Sequence, residues 1–167
     1  MHSLLVLLTM ALIVIGIQFG MRFFRMRRLG YWLKRGMEAY GEARYQDALR
    51  AFRKCVGIAP EWLHSRAMLG MSLAQTGNKE EALREITLVQ QLQPRQGEAW
   101  TLTCLFYALC APEDHDKLAE AIETLHALDP PAAAALVMKP QFRQFDNTRR
   151  FRELFRRVQT QKQPEAD

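Results

Sequence analysis

From Ser3 to Met21 the chain carries no charge (SLLVLLTMALIVIGIQFGM), and eleven of these nineteen residues are Leu, Ile, Val or Phe. A helix of that length covers about 28 Å, close to the roughly 30 Å hydrocarbon core of a bilayer. After residue 28 the pattern changes. Apolar residues return at spacings of three and four: Ala48, Ala51, Phe52 and Cys55; then Ala82, Leu83, Ile86 and Val89; then Leu118, Ala121, Ile122 and Leu125. That period marks amphipathic helices with one buried face. The pattern predicts an all-α chain with helices over 30–41, 45–56, 61–75, 79–91, 97–110 and 115–128. Gly77-Asn78 signals a turn, and Pro60, Pro94 and Pro130 each close a helix.

The uncharged stretch reads as a transmembrane signal anchor over 1–21. A cleaved signal peptide would want a basic start and a small-x-small exit. Only Met1 and His2 precede the stretch, and its exit, Ile17-Gln18-Phe19-Gly20-Met21, is bulky. Arg22, Arg25, Arg27 and Arg28 follow in a basic juxtamembrane segment, 22–28, with nothing comparable before the span. The positive-inside rule then puts the amino terminus outside and the remainder in the cytoplasm. These four arginines can meet anionic headgroups at the membrane interface. Gly16 and Gly20 form a GxxxG spacing, which lets two membrane helices pair closely.

Beyond residue 29 the chain repeats. Pro60 and Pro94 lie 34 residues apart, as do Gly36 and Gly70, Ala48 and Ala82, and Leu49 and Leu83; Trp32 and Trp100 lie 68 apart. The segments YQDALRAFRKCVGIAP and KEEALREITLVQQLQP align in step. A third copy, HDKLAEAIETLHALDP, ends 36 residues after Pro94 and implies a two-residue insertion around Ala111 to Asp114. The units are 29–62, 63–96 and 97–130, each a pair of helices.

These residues resemble the tetratricopeptide (TPR) pattern, W-x2-L-G-x2-Y, then A-x3-F, then P, over 34 residues. The first unit supplies Trp32, Gly36, Ala48, Phe52 and Pro60, with Arg35 and Ala39 as departures. The second supplies Leu69, Gly70, Ala82 and Pro94, with Arg66 in place of the tryptophan and Ile86 in place of the phenylalanine. The third supplies Trp100, Tyr107 and Pro130, with Cys104 in place of the glycine. The resemblance implies a short α-solenoid in which the first helix of each unit lines a concave groove for a segment of a protein partner. Carried over by alignment, the groove positions are Leu33, Met37 and Tyr40; His64, Ala67, Met71, Ala74 and Gln75; and Glu98, Thr101, Leu105, Ala108 and Leu109. The carboxylate clamp of chaperone-binding members is missing: its sites hold Leu33, Met37, Met68, Glu98 and Leu102. Such a groove suits an apolar or amphipathic partner segment, since Met adapts to varied shapes. Part of the same list reads equally well as core, or as surface covered by the C-terminal helices. Trp32 has two claimants, repeat packing and the membrane interface.

Residues 131–160 read as capping helices, because a stack of repeats leaves its last face apolar. Pro131 to Met138 predicts a short helix. Asp146 or Asn147 would cap a final helix with Phe151, Leu154, Phe155 and Val158 on one face and five arginines elsewhere. That helix can cap the solenoid or lie on the membrane, phenylalanines down. Residues 161–167 read as a disordered polar tail.

Charge sharpens the picture. The net is +5, but residues 22–35 carry six cations and no anions, 36–138 carry nine cations and fourteen anions, and 139–162 carry eight cations and two anions. An acidic body between basic flanks, without a recognised motif, argues against nucleic-acid binding. Three cysteines without a C-x-x-C pair read as free thiols in a reducing compartment. His2, His64, His115 and His126 are scattered, and no catalytic, cofactor or metal motif appears. The expectation is a non-enzymatic, single-pass adaptor or scaffold without cofactor, holding a protein partner at the cytoplasmic face of a bacterial inner membrane. The alternative is a permanent structural or assembly subunit of a larger membrane complex, and a third reading places the body outside.

Overall fold

The computed structural model describes the backbone of residues 2–160 and the side chains within it except those of 2–9 and 11–13. The expected tail, 161–167, and ten of the nineteen side chains of the expected span, 3–21, lie outside the described residues. Regular structure among the described residues is all helical: α1 (His2–Gly41), α2 (Tyr45–Ile58), α3 (Leu63–Gln75), α4 (Lys79–Leu92), α5 (Gly97–Cys110), α6 (His115–Leu128), α7 (Pro130–Val137), a 3₁₀ helix (Pro140–Phe145) and α8 (Arg149–Thr160). Among these residues no helix is long and apolar enough to cross a membrane. The chain divides into two compact units, Met1–Pro60 and Glu61–Asp167.

Unit 1 is the pair α1 and α2. Helix α1 runs unbroken through Gly30, with no proline to interrupt its hydrogen bonds. Among its described side chains the buried ones all lie in the last third. Leu29, Gly36 and Ala39 are buried with Ala48, Leu49, Ala51, Phe52 and Cys55 of α2. Gly36 is required by the crossing: a Cβ there would stand 2.8 Å from the Phe52 ring. The exit from α1 is a tight left-handed turn in which Ala43 takes φ 58°. Ala43 N–H donates to the Tyr40 carbonyl (3.1 Å), and Arg44 N–H to that of Ala39 (2.8 Å). This pairing satisfies the helix's last carbonyls in a Schellman motif, although an L side chain in that conformation costs about 1–2 kcal/mol.

Unit 2 repeats the arrangement. Helices α3 and α4 pack at Gly70, where a Cβ would meet the Ala82 carbonyl oxygen at 3.3 Å and the Ile86 side chain at 3.4 Å. Helix α3 ends in the same motif, with glycine where unit 1 has alanine. Gly77 takes φ 85°; its N–H donates to Ala74 (3.0 Å) and that of Asn78 to Leu73 (2.9 Å). Helices α5 and α6 form the next pair, burying Leu102, Cys104 and Phe106 with Leu118, Ala121, Ile122 and Leu125. The Trp100 indole N–H donates to the Pro94 carbonyl at 2.8 Å, which fixes α5 against the loop before it.

The last two helices are a truncated fourth pair, which goes beyond the expected cap. A buried quartet at i, i+3, i+4 and i+7 recurs as Ala48, Ala51, Phe52, Cys55 in α2, as Leu118, Ala121, Ile122, Leu125 in α6, and as Phe151, Leu154, Phe155, Val158 in α8. Helix α7 has only eight residues. Large side chains on α8, with Phe142 and Phe145 of the 3₁₀ helix, fill the volume a longer partner helix would occupy. Asp129 caps α7 by accepting from Ala132 N–H (3.0 Å), ahead of Pro130 and Pro131, whose missing N–H groups cost nothing at a helix start. The cap of α8 is a correction: Thr148 Oγ1 accepts from Phe151 N–H at 3.4 Å, in the place expected for Asp146 or Asn147.

Candidate partner-binding and membrane-facing surfaces

The described part of α1 before Leu29 is an apolar helix with little protein around it. Val14, Ile15, Ile17, Phe19, Met21, Phe23, Phe24 and Met26 are all exposed, Phe19 to 73% and Phe24 to 66%. Gly16 is exposed and Gly20 half-buried, and a Cβ on either would meet nothing within 4 Å. The face that would pair two such helices is therefore open.

Arg22, Arg25, Arg27 and Arg28 are all exposed; Arg25 and Arg28, three residues apart, share one side of the helix, and Arg27 lies on another. Arg27 lies over the Phe23 ring, 5.8 Å from its centroid. The Arg25 Nε–H donates to the Ile58 carbonyl at the end of α2, at 2.7 Å. A guanidinium suits that place, where unpaired carbonyls gather the negative end of the helix dipole.

The expected groove positions separate into three sets. In unit 1, Leu33, Met37 and Tyr40 fall on one side of α1, with Met37 45% exposed and the other two half-buried. Tyr40 packs edge-on against Tyr45, ring centroids 5.3 Å apart. In unit 2, His64, Gln75, Glu98 and Leu109 are exposed, while Ala74, Thr101 and Leu105 are half-buried. Ala67, Met71 and Ala108 are buried, Met71 to 5% exposure, so these three pack and offer no surface. The chain itself occupies one end of the α5 face: Gln144 Nε2 donates to the Ala108 carbonyl at 2.9 Å. Trp32 is half-buried and lines a cleft with Arg35, Asp47, Arg50, Ala51 and Lys54. Such a position suits packing against α2.

Ion pairs tie the helices of unit 2 together at intervals of one repeat. Lys79 bonds Glu113 at 2.9 Å, Arg157 bonds Glu123 at 3.2 Å, and Arg150 bonds Asp116. Because Phe151, Leu154, Phe155 and Val158 are buried, α8 closes the stack, and the alternative of phenylalanines lying down in a membrane loses its apolar face. A further pair, Arg66 with Glu85 at 2.8 Å, is largely buried between α3 and α4. Sequence reasoning noted Arg66 only as a departure from pattern; the acidic Glu85 in an otherwise apolar quartet was the signal that it had a partner.

Chemically reactive groups are dispersed. Among the described residues no three of His, Cys, Asp and Glu gather to hold a metal. Burial pushes the Cys104 thiol far above its ordinary range, so it stays protonated and unreactive. His115 stands edge-on to Phe145 and Phe151, each 5.8 Å away, as a packing residue. No protein-family model matches the chain, and no curated protein matches it.

Proposed function

We propose that the chain is a membrane-anchored helical-repeat adaptor of TPR type. Residues 3–21 cross the bilayer, the arginines after them face the cytoplasm, and the helical pairs hold a segment of a protein partner. The observation that carries the reading is the exposed apolar surface of α1 from Val14 to Met26, joined without a break to a body that buries its apolar residues. Water disfavours so many exposed apolar side chains on one helix, and lipid accepts them. Restricting a partner to the membrane plane raises its effective concentration without any new contact.

Extraction tests the anchor. The full chain should resist alkaline carbonate and salt, and removal of residues 1–21 should release it; release of the full chain by carbonate defeats the reading. Reporter fusions at the carboxyl terminus decide orientation. For the groove, a photoreactive residue at Leu109 or Glu98 should capture one partner segment, whereas one at Arg84, exposed on α4, should not. Equal capture from both faces removes the groove.

A second reading, a permanent subunit of a membrane complex, is favoured by the apolar residues that stay exposed after the arginine run: Tyr31 and Met37. Stoichiometric co-purification in detergent at high salt supports it over the adaptor.

A further inference from the structure

We infer that unit 1 carries a docking surface for an acidic segment of a protein partner, laid along the seam between α1 and α2. The inference rests on the adaptor reading and gives its partner a chemistry. Tyr31, Lys34, Arg35 and Glu38 follow at i, i+3, i+4 and i+7 and share one side of α1; Asp47, Arg50, Ala51 and Lys54 do the same on α2. Two clefts, of about 440 Å³ and about 280 Å³, lie between these rows and share Arg35 and Asp47, so they run on as one trough. Leu33, Met37 and Tyr40, expected in the partner groove, lie on the opposite side of α1, at roughly 100° per residue. The trough is therefore a second surface.

Its charge is unequal. Five cations line it, Lys34, Arg35, Arg44, Arg50 and Lys54, against two carboxylates, Glu38 and Asp47. Both carboxylates are already engaged. Asp47 is bonded by Arg44 at 2.9 Å and by Arg50 at 2.6 Å, and Glu38 stands 3.8 Å from Lys34. Arg35 and Lys54 form no ion pair with any described carboxylate. Arg35 is nonetheless held in place: its Nη1–H donates to the Tyr31 hydroxyl at 3.2 Å, and its guanidinium stands 5.7 Å from the centroid of the Trp32 ring. A guanidinium fixed on aromatic rings, its charge still unneutralised, is ready to take a carboxylate through paired N–H donors. Trp32, half-buried beside Ala51, leaves part of its ring to the trough, where an apolar side chain of the partner can anchor.

Height favours a protein over a lipid. If the bilayer core ends at Met21 and α1 stands upright, Tyr31 lies about 15 Å and Glu38 about 25 Å farther along the axis. The headgroup layer is only about 5–8 Å deep on each side. These cations therefore stand above the headgroups, where attraction to a lipid surface does not account for them. Glu38 and Asp47 also interrupt the rows of cations. That spacing suits separate carboxylates on a peptide better than the continuous phosphates of a nucleic acid.

Fluorescence anisotropy of the full chain in nonionic detergent tests the surface, with a labelled glutamate-rich peptide carrying one central phenylalanine as probe. It should bind several-fold more tightly than the same peptide with glutamine for glutamate. Arg35→Gln/Lys54→Gln, which changes two exposed side chains, should lose that preference without lowering the melting temperature. Arg152→Gln/Arg156→Gln, exposed on α8, should keep it. Arg35→Glu/Lys54→Glu should turn the preference toward a lysine-rich peptide, which mere loss of folding cannot do. Equal loss in the α8 variant, or survival of the preference in Arg35→Gln/Lys54→Gln, overturns the surface. Displacement of the peptide by short-chain phosphatidylglycerol, or tighter binding of an oligothymidylate of equal charge, reassigns the trough and overturns it too. Carbonate resistance and capture from Leu109 are scored separately, so a failure of the anchor or of the groove is not mistaken for a failure of the trough.

Discussion

In unit 1, Trp32 of α1 and Ala51 of α2 line one cleft; thirty-four residues on, the same two places in unit 2 hold Arg66 and Glu85. The first solution fills space with a large apolar ring over a small residue. The second fills it with two long side chains joined by a 2.8 Å ion pair, about a sixth of each exposed. Both satisfy the geometry of a helix pair, but they fail differently. An aromatic over alanine loses contact area when truncated. A buried pair, when one partner is removed, leaves the other charge with less compensation than its burial requires. The comparison teaches that the repeat conserves a volume and a crossing, and that the chemistry filling them can be exchanged if both partners change together.

The largest effect tests this exchange. Breaking a fully buried pair costs about 3–5 kcal/mol, and with some water contact remaining Glu85→Ala should cost about 2–3 kcal/mol of unit 2 stability in urea titrations. Arg66→Trp/Glu85→Ala, which writes the unit 1 solution into unit 2, should recover most of it. If the double variant is as unstable as the single one, the two places are not equivalent.

The glycines give the next effect. At Gly36 a methyl group meets the confined Phe52 ring at 2.8 Å, and overpacking of about 1–3 kcal/mol outweighs the roughly 1 kcal/mol gained in helix propensity. Gly36→Ala should therefore destabilise by about 1 kcal/mol. At Gly70 the closest atom lies at 3.3 Å, and Gly70→Ala should stay within about 0.5 kcal/mol of neutral. Thermal melts followed by circular dichroism read both.

A smaller effect lies at the turns. Gly77→Ala should cost about 1 kcal/mol, and Ala43→Gly should gain up to about the same amount, because φ is positive at both. Opposite signs support a shared turn; equal signs break the correspondence.

The smallest concerns acid. Hydrogen bonds from Arg44, then from Arg50, hold the Asp47 carboxyl below its ordinary range; for Glu113 its own backbone N–H acts first and Lys79 second. Both folded values are depressed, so the stabilisation is present above the unfolded value and is lost as pH falls through the folded one, below about pH 4. In Lys79→Met, Glu113 should remain depressed by NMR titration. In Arg44→Met, Asp47 should rise clearly. Full return of Glu113 to the ordinary range in Lys79→Met would make the cross-repeat pair the dominant cause.

Much of the fold was legible. The 34-residue spacing and the three-and-four apolar rhythm placed the ends of α2 through α6 within about two residues, because helix phase and closing prolines are local signals. The fourth pair was not legible as one. Its first helix is cut to eight residues, its second carries Phe and Leu where earlier quartets carry Ala, and no closing proline marks the period among the described residues. The left-handed Ala43 gave no signal, since alanine has no turn preference. The surfaces were legible only in part. Alignment finds which side of a helix a residue occupies, but Ala67 and Met71 show that it does not find how closely the next helix approaches. The arginine run was plain in the sequence; that Arg25 meets the end of α2 was not.

Helix α1 runs from His2 to Gly41 as a single rod through Gly30. A rod transmits rotation as well as position. Each residue added between the apolar stretch and Leu29 advances α2 by about 1.5 Å and swings it about 100° around the axis. The side that unit 1 turns toward its surroundings is thus set by counting residues. Inserting one or two would point it elsewhere, whereas inserting seven, nearly two full turns, would bring it back to almost the same bearing about 10 Å farther out.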